Sequence, residues 1–224
     1  MLPSPRWDGT SRNYVETTRT ELQELVEWRG APPPGGRLLL WQGEPGTGKT
    51  SAIRALAGEW RDWAKFHFIT DPEQFLANPD YLLEVIGGSR GPAPSRDEGV
   101  EGVVLEDSDE YLAPDAKHQS GQALSRLLNV CDGAFGQAMK VLVLVTTNEP
   151  LPTLHPPLSR PGRCLAEVGF DRFDRAAIED WADHAGMDPP DTSAATLADF
   201  YAHAEGRGKP RVGRSTLGFA APFG

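Results

Sequence analysis

The run Gly43-Glu44-Pro45-Gly46-Thr47-Gly48-Lys49-Thr50 constrains the fold of this 224-residue chain more than any other stretch. An apolar segment, Leu38-Leu39-Leu40-Trp41, leads into it, and a helical stripe of Ile53, Leu56, Ala57, Trp60 and Ala64 follows. A strand that turns this sharply into a helix needs glycines, because the missing Cβ lets successive backbone N–H groups converge on one point. Such a point suits a phosphate, and the helix adds its positive end to the attraction. Lys49 is then placed to reach β- and γ-phosphates, and the Thr50 hydroxyl to bind Mg²⁺. Gly43, Pro45, Gly46, Thr47, Gly48 and Ser51 complete the expected binding turn.

The rest of the chain keeps a strand–helix rhythm. Apolar runs predict strands over Arg37–Gln42, Lys65–Thr70, Val100–Glu106, Lys140–Thr147 and Cys164–Phe170. Helices are expected over Thr50–Ala64 and Gly121–Asp132, with short ones opened by the cap-plus-proline pairs Asp71-Pro72 and Asn78-Pro79. This alternation implies a parallel α/β sheet covered by helices. Upstream, residues 1–12 read as a loose arm, and Asn13 as the cap of a helix running to Trp28. From Asp171 onward strands are expected to stop. Asp174 should cap a helix ended by Gly186, and a second helix carries Leu197, Phe200, Tyr201 and Ala204. The expected organisation is therefore an arm (1–12), a nucleotide-binding α/β domain (13–170), a reduced helical lid (171–206) and a basic tail (207–224) bearing Arg207, Lys209, Arg211 and Arg214.

Composition removes several functions. With 22 basic and 32 acidic residues the net charge is −10, which argues against non-specific nucleic-acid binding. No apolar run approaches the roughly 18 residues a membrane span needs, and the first residues lack the apolar core of a secretory signal. Two cysteines, Cys131 and Cys164, are too few for a disulfide scaffold and suit a reducing cytoplasm. Gly and Pro number 24 and 20 of 224, below the roughly 25–30% at which a disordered reading would lead.

Three further motifs carry chemistry. Glu106-Asp107-Ser108-Asp109-Glu110 ends the third strand in carboxylates, which could hold Mg²⁺ and orient a water. Thr146-Thr147-Asn148 ends the fourth strand, where an uncharged amide beside a γ-phosphate can hold an attacking water. Arg160-Pro161-Gly162-Arg163 sets guanidinium groups on a tight turn, suited to reaching a phosphate from a neighbouring subunit.

Together these motifs, with the Leu127-Leu128-Asn129-Val130-Cys131-Asp132-Gly133 stretch, resemble the AAA family of the AAA+ ATPases over roughly residues 12–205. The resemblance implies a three-layer P-loop NTPase fold with strand order 5-1-4-3-2 and a nucleotide bound between the α/β domain and the lid. It implies ATP and Mg²⁺ as cofactors and a homo-oligomeric ring, a hexamer among the sizes allowed. Asn148 takes the position called sensor 1, and Arg160 and Arg163 those of arginine fingers acting across the subunit boundary.

The chain also departs from the family pattern. The acidic pair is Glu106 then Asp107 rather than Asp then Glu, an order similar to the branch containing the mitochondrial Rieske-protein translocase. Two registers follow. In the favoured one Glu106 binds Mg²⁺ with Thr50, and Asp107 polarises the water; in the other Asp107 binds Mg²⁺ and Ser108 leaves no base. Neither Phe75-Leu76 nor Tyr81-Leu82 is followed by the glycine of a substrate-threading loop, so both pairs read as core. The leading expectation is an ATPase acting on a macromolecular partner or adaptor, without nucleic acid or membrane. A nucleotide-gated binding protein with slow hydrolysis, and a DNA- or RNA-handling ATPase using the basic tail, are the alternatives.

Overall fold

A computed structural model of the chain describes residues 6–29, 37–78, 80–81, 84–85, 99–109, 129, 140–149 and 164–206. Strands β1 (Leu38–Gly43), β2 (Ala64–Phe68), β3 (Val100–Leu105), β4 (Val141–Thr147) and β5 (Cys164–Phe170) form a five-stranded sheet in the order β2-β3-β4-β1-β5. All four pairings are parallel. This is the 5-1-4-3-2 order of the AAA+ P-loop fold. Leu38–Trp41 and all seven residues of β4 are buried. Central parallel strands lie under cover on both faces, which is why their sequences are continuously apolar rather than alternating. At the edge, β2 is only half-buried and leaves Phe68 46% exposed.

Helices α2 (Glu16–Glu27) and α3 (Lys49–Glu59) cover one face. Leu22, Leu25 and Val26 of the first, with Ile53 and Leu56 of the second, meet Leu39, Trp41, Val104 and Leu144 of the sheet. The Trp60 indole N–H donates to the Leu25 carbonyl at 3.0 Å, tying the ends of the two helices together. On the edge side, α4 (Pro72–Ala77) is capped by Asp71, which accepts from the Gln74 N–H. It buries Phe75 and Leu76, which are core as expected.

Past the sheet, α5 (Arg175–Ala185) opens on Asp174, whose carboxylate accepts from the Ala177 N–H, and stops at Gly186. The last helix, α6 (Leu197–Ala204), starts in a capping box between Thr196 and Asp199. Phe173, Ile178, Ala195, Leu197 and Phe200 make a small core of their own. The Trp181 ring stacks on Phe200 with centroids 4.4 Å apart.

Four expectations need correction. First, the described part of the arm is not loose: α1 (Trp7–Thr10) and a 3₁₀ turn (Ser11–Asn13) pack on the body. Trp7 is 3% exposed, stacks on Tyr14, and donates its backbone N–H to Glu59. A buried tryptophan removes a large apolar area from water, which offsets the cost of ordering a short polar segment. Second, Asn13 is not the cap of α2, which begins after Val15; its amide instead meets Trp181 of α5 and Tyr201 of α6. Third, the helix expected to reach Ala64 ends at Glu59, and Ala64 opens β2. Alanine fits either element, so pairing with Val100 decides the matter. Fourth, strands do not stop at Asp171, because β6 (Phe173–Asp174) pairs antiparallel with β7 (Ala194–Ala195). Two residues are too few to show a strand period.

Candidate functional site

The phosphate-loop candidate spans the gap between the end of β1 and the start of α3. Gly43 is required by close approach: a Cβ there would lie 2.4 Å from the Phe170 carbonyl oxygen on β5. Gly48, at φ +99°, is required by conformation, and a Cβ would also meet Leu197 at 2.8 Å. The Thr47 hydroxyl donates to the Glu44 carbonyl at 2.7 Å and closes the turn. The Ala198 N–H donates to the Gly46 carbonyl at 3.0 Å, so α6 abuts the loop directly.

Between them lies a cavity of about 480 Å³. The loop and start of α3 contribute Pro45, Gly46, Gly48, Lys49, Thr50 and Ser51; the ends of the strands contribute Asp107 and Asn148; α6 contributes Leu197, Ala198 and Tyr201. It sits at the C-terminal ends of β1, β3 and β4, where α/β sheets bind ligands. Its volume is within the range of about 300–1,000 Å³ usual for small-molecule sites.

Lys49 reaches from α3 across this cavity. Its ammonium donates to the carbonyls of Gly43 and Glu44, and at 2.9 Å to Asn148 Oδ1. Burial lowers its pKa from the ordinary value, while the charges of Asp107, Asp109 and Glu106 act in the opposite sense. The Thr50 hydroxyl donates to Glu106 Oε2 at 2.7 Å. Glu106, not Asp107, is therefore the carboxylate in contact with Thr50. Asp107 lines the cavity instead, at φ +50°, a left-handed conformation that Asp tolerates better than most residues. Its N–H donates to Thr146 Oγ at 2.9 Å, which holds the turn. Ser108 is 1% exposed and its hydroxyl is within hydrogen-bonding distance of the Leu105 carbonyl, away from the cavity.

Hydroxyl and carboxylate oxygens suit a hard cation, and Mg²⁺ takes few protein ligands, filling its shell with water and substrate phosphate. Among the described residues no group of three or more His, Cys, Asp or Glu could hold a metal alone. The Thr50–Glu106 pair beside a phosphate loop fits Mg²⁺ that arrives with a phosphorylated ligand.

Asn148 is fixed by Asp109. One Asp109 oxygen accepts from the Thr147 hydroxyl and the Asn148 N–H, both at 2.7 Å. The other accepts from Asn148 Nδ2 at 2.8 Å. Burial raises the Asp109 pKa, but these hydrogen bonds and the Lys49 charge outweigh it, so the carboxyl lies below its ordinary 3.8. A carboxyl depressed in the folded state contributes stability that is complete above its unfolded pKa and lost as pH falls through the folded one. Asp109→Asn is therefore expected to weaken the acid dependence of folding below about pH 5. Urea titrations of both proteins from neutral to acid pH check this.

Of the other site expectations, Arg160 and Arg163 lie outside the described residues, as do the basic tail and all of 127–133 except Asn129. Tyr14 has no role in the sequence reading, yet its hydroxyl donates to the Gly48 carbonyl at 3.1 Å. Burial, then the nearby Tyr201, pushes its pKa well up, which keeps it a donor. Tyr201, carried as expected by the same helix as Leu197 and Phe200, is 48% exposed and lines the cavity. Asp109 stands in the acidic run but has no assigned role, because its partners Thr147 and Asn148 are 38 and 39 residues away.

The family model described as "ATPase family associated with various cellular activities (AAA)" matches residues 39–172. Among curated relatives, Protein SAV of Sulfolobus acidocaldarius is 30% identical over 74% of this chain and 22% of its own length. The ATP-dependent zinc metalloprotease FtsH 4 of Synechocystis is 34% identical over 72% and 27%. The Cell division cycle protein 48 homolog of Archaeoglobus fulgidus is 31% identical over 79% and 25%. The chain thus spans about a quarter of the length of these relatives. Among solved structures, a chain of the E. coli MS115-1 HORMA:CdnC:Trip13 complex superposes with a TM-score of 0.53 at 17% identity. That likeness covers 68% of this chain and 54% of the other, and shows the fold alone.

Proposed function

The chain belongs to the AAA family of ATPases, and from that premise we propose that it binds Mg-ATP and hydrolyses it to ADP and phosphate within a homo-oligomeric ring serving a macromolecular partner. The observation that carries this reading is one cavity lined by the glycine loop, Lys49, Thr50, Asp107 and Asn148, with Glu106 hydrogen-bonded to Thr50.

In this reading the loop N–H groups and Lys49 hold the phosphates. Thr50 and Glu106 would hold Mg²⁺, which would supply positive charge to the bound phosphates. Asp107 accepts the proton of a water that Asn148 helps to aim in line with the γ-phosphorus. Arg160 and Arg163 of a neighbouring protomer complete the charge on the transferring group. Among the described residues no helix is long and apolar enough to cross a membrane. The Cys164 thiol is half-buried, and burial and Glu167 push its pKa up to about 12, which keeps it protonated near neutral pH.

A site finished by a neighbour makes a concentration-dependent enzyme. The rate per chain of phosphate release from Mg-ATP is expected to rise with protein concentration through the assembly range. Arg163→Ala should lower it about 10³-fold, the scale of an arginine finger, while leaving nucleotide binding intact. Rates strictly proportional to protein concentration, or an unaffected Arg163→Ala, would remove the trans-acting fingers. Tight binding with no phosphate release at any concentration would favour a nucleotide-gated binding protein instead.

A further inference from the structure

The amide of Asn148 has two chemically different ends, and its neighbours decide which one meets the phosphate site. Asp109 Oδ2 takes the Nδ2 end at 2.8 Å, and Lys49 Nζ donates to the Oδ1 end at 2.9 Å. An ionised carboxylate only accepts and an ammonium only donates. A flipped amide would set oxygen against oxygen and NH₂ against ammonium, losing both charge-assisted bonds. The backbone leaves no slack, because the Asn148 N–H and the Thr147 hydroxyl are held by the other Asp109 oxygen. Thr147 is itself fully buried, so the clamp is anchored in the sheet.

We infer that Asp109 is a positioning residue that locks Asn148 with its carbonyl oxygen toward the cavity, so that Asn148 serves the reaction as an acceptor. This rests on the ATPase reading and deepens it. When phosphate oxygens take over Lys49, Oδ1 is left to accept a hydrogen bond from water. A water donating one O–H to Asn148 and the other to Asp107 keeps a lone pair directed at phosphorus. Its oxygen then bonds to the γ-phosphorus as the bond to the β,γ-bridging oxygen breaks. The electron pair leaves with ADP, the water proton passes to Asp107, and inorganic phosphate is formed. Asp109 touches none of the reacting atoms and acts through Asn148.

The test compares wild type with Asp109→Asn, Asn148→Ala and the double variant. Asp109→Asn offers an NH₂ where a pure acceptor stood, so it should turn or release the Asn148 amide. Its kcat is expected to fall about 10-fold or more, with KM and the affinity for a fluorescent ATP analogue within about 3-fold of wild type. In the Asn148→Ala background the same change should have about 2-fold effect or less, because the residues act as one unit. A second readout is independent of turnover. The Asn148 side-chain NH₂ resonance, assigned by its absence from Asn148→Ala, should be protected from exchange in wild type and lose protection in Asp109→Asn. If Asp109→Asn does not fold, Asp109→Glu keeps the charge, displaces the carboxylate and should lower kcat in the same way.

Wild-type kcat in a folded Asp109→Asn, or multiplying effects in the double variant, would overturn the inference while leaving the ATPase reading intact. An unprotected Asn148 amide in wild type would overturn it too. A wild-type protein without hydrolysis would overturn the ATPase reading, and with it the part given to Asn148 as acceptor in the reaction.

Discussion

Lys49→Ala is expected to lose ATP binding and, with it, all turnover. The Lys49 ammonium donates to the Gly43 and Glu44 carbonyls and to Asn148, and it faces Glu106, Asp107 and Asp109. Bound phosphate exchanges the carbonyl partners for charged oxygens, and each such bond is worth ~1.5–3 kcal/mol. Losing two of them weakens binding by about 100-fold or more. The three carboxylates also lose a cation they share, so a polyanion entering beside them meets greater repulsion. Titration with a fluorescent ATP analogue reads the loss, and circular dichroism shows whether the variant is folded. Affinity within about 3-fold of wild type would mean that Lys49 does not contact phosphate.

Asp107→Asn should separate binding from chemistry. The substitution keeps shape and the Thr146 hydrogen bond, which the backbone N–H makes. It leaves the Thr50–Glu106 pair in place, so Mg-ATP should still bind. What disappears is the proton acceptor, and a general base contributes about 10²–10⁴-fold. Turnover is expected to fall by that factor with nucleotide affinity nearly unchanged. In the rival register Asp107 would hold Mg²⁺, and the same variant would lose Mg-dependent binding as well. Two placements argue against that register: Glu106 meets Thr50, and Ser108 is buried with its hydroxyl turned to the Leu105 carbonyl.

Much of the site was legible in the sequence because its parts are local. The glycine loop, Lys49 and Thr50 lie within eight residues, and the backbone there has few alternatives. Asp71 and Asp174 cap their helices as expected, since a cap needs only the next three residues. The order of strands came from resemblance, not from any property of a single strand. What the sequence hid is tertiary. Trp7 reads as part of a polar arm until Glu59, Gln23 and Tyr14 are brought beside it. Asn13 has the chemistry of a cap, but Trp181 and Tyr201, far along the chain, claim its amide. Asp109 looks like one more carboxylate in an acidic run, and only the parallel pairing of β3 with β4 sets it against Asn148. Tyr201 follows Phe200 on the same helix, yet one is buried and the other faces the cavity.

Hydrolysis of ATP in this cavity with Asp107 as the base is a proposal that a single turnover can decide. Mg-[γ-³²P]ATP is mixed with a small excess of wild type or Asp107→Asn at a concentration where rings form, and the reaction is quenched over time. Wild type is expected to convert all bound ATP to ADP and phosphate in a single exponential, while Asp107→Asn holds its ATP intact over the same interval. Equal conversion by the two proteins, or bound ATP left intact by wild type, would contradict it.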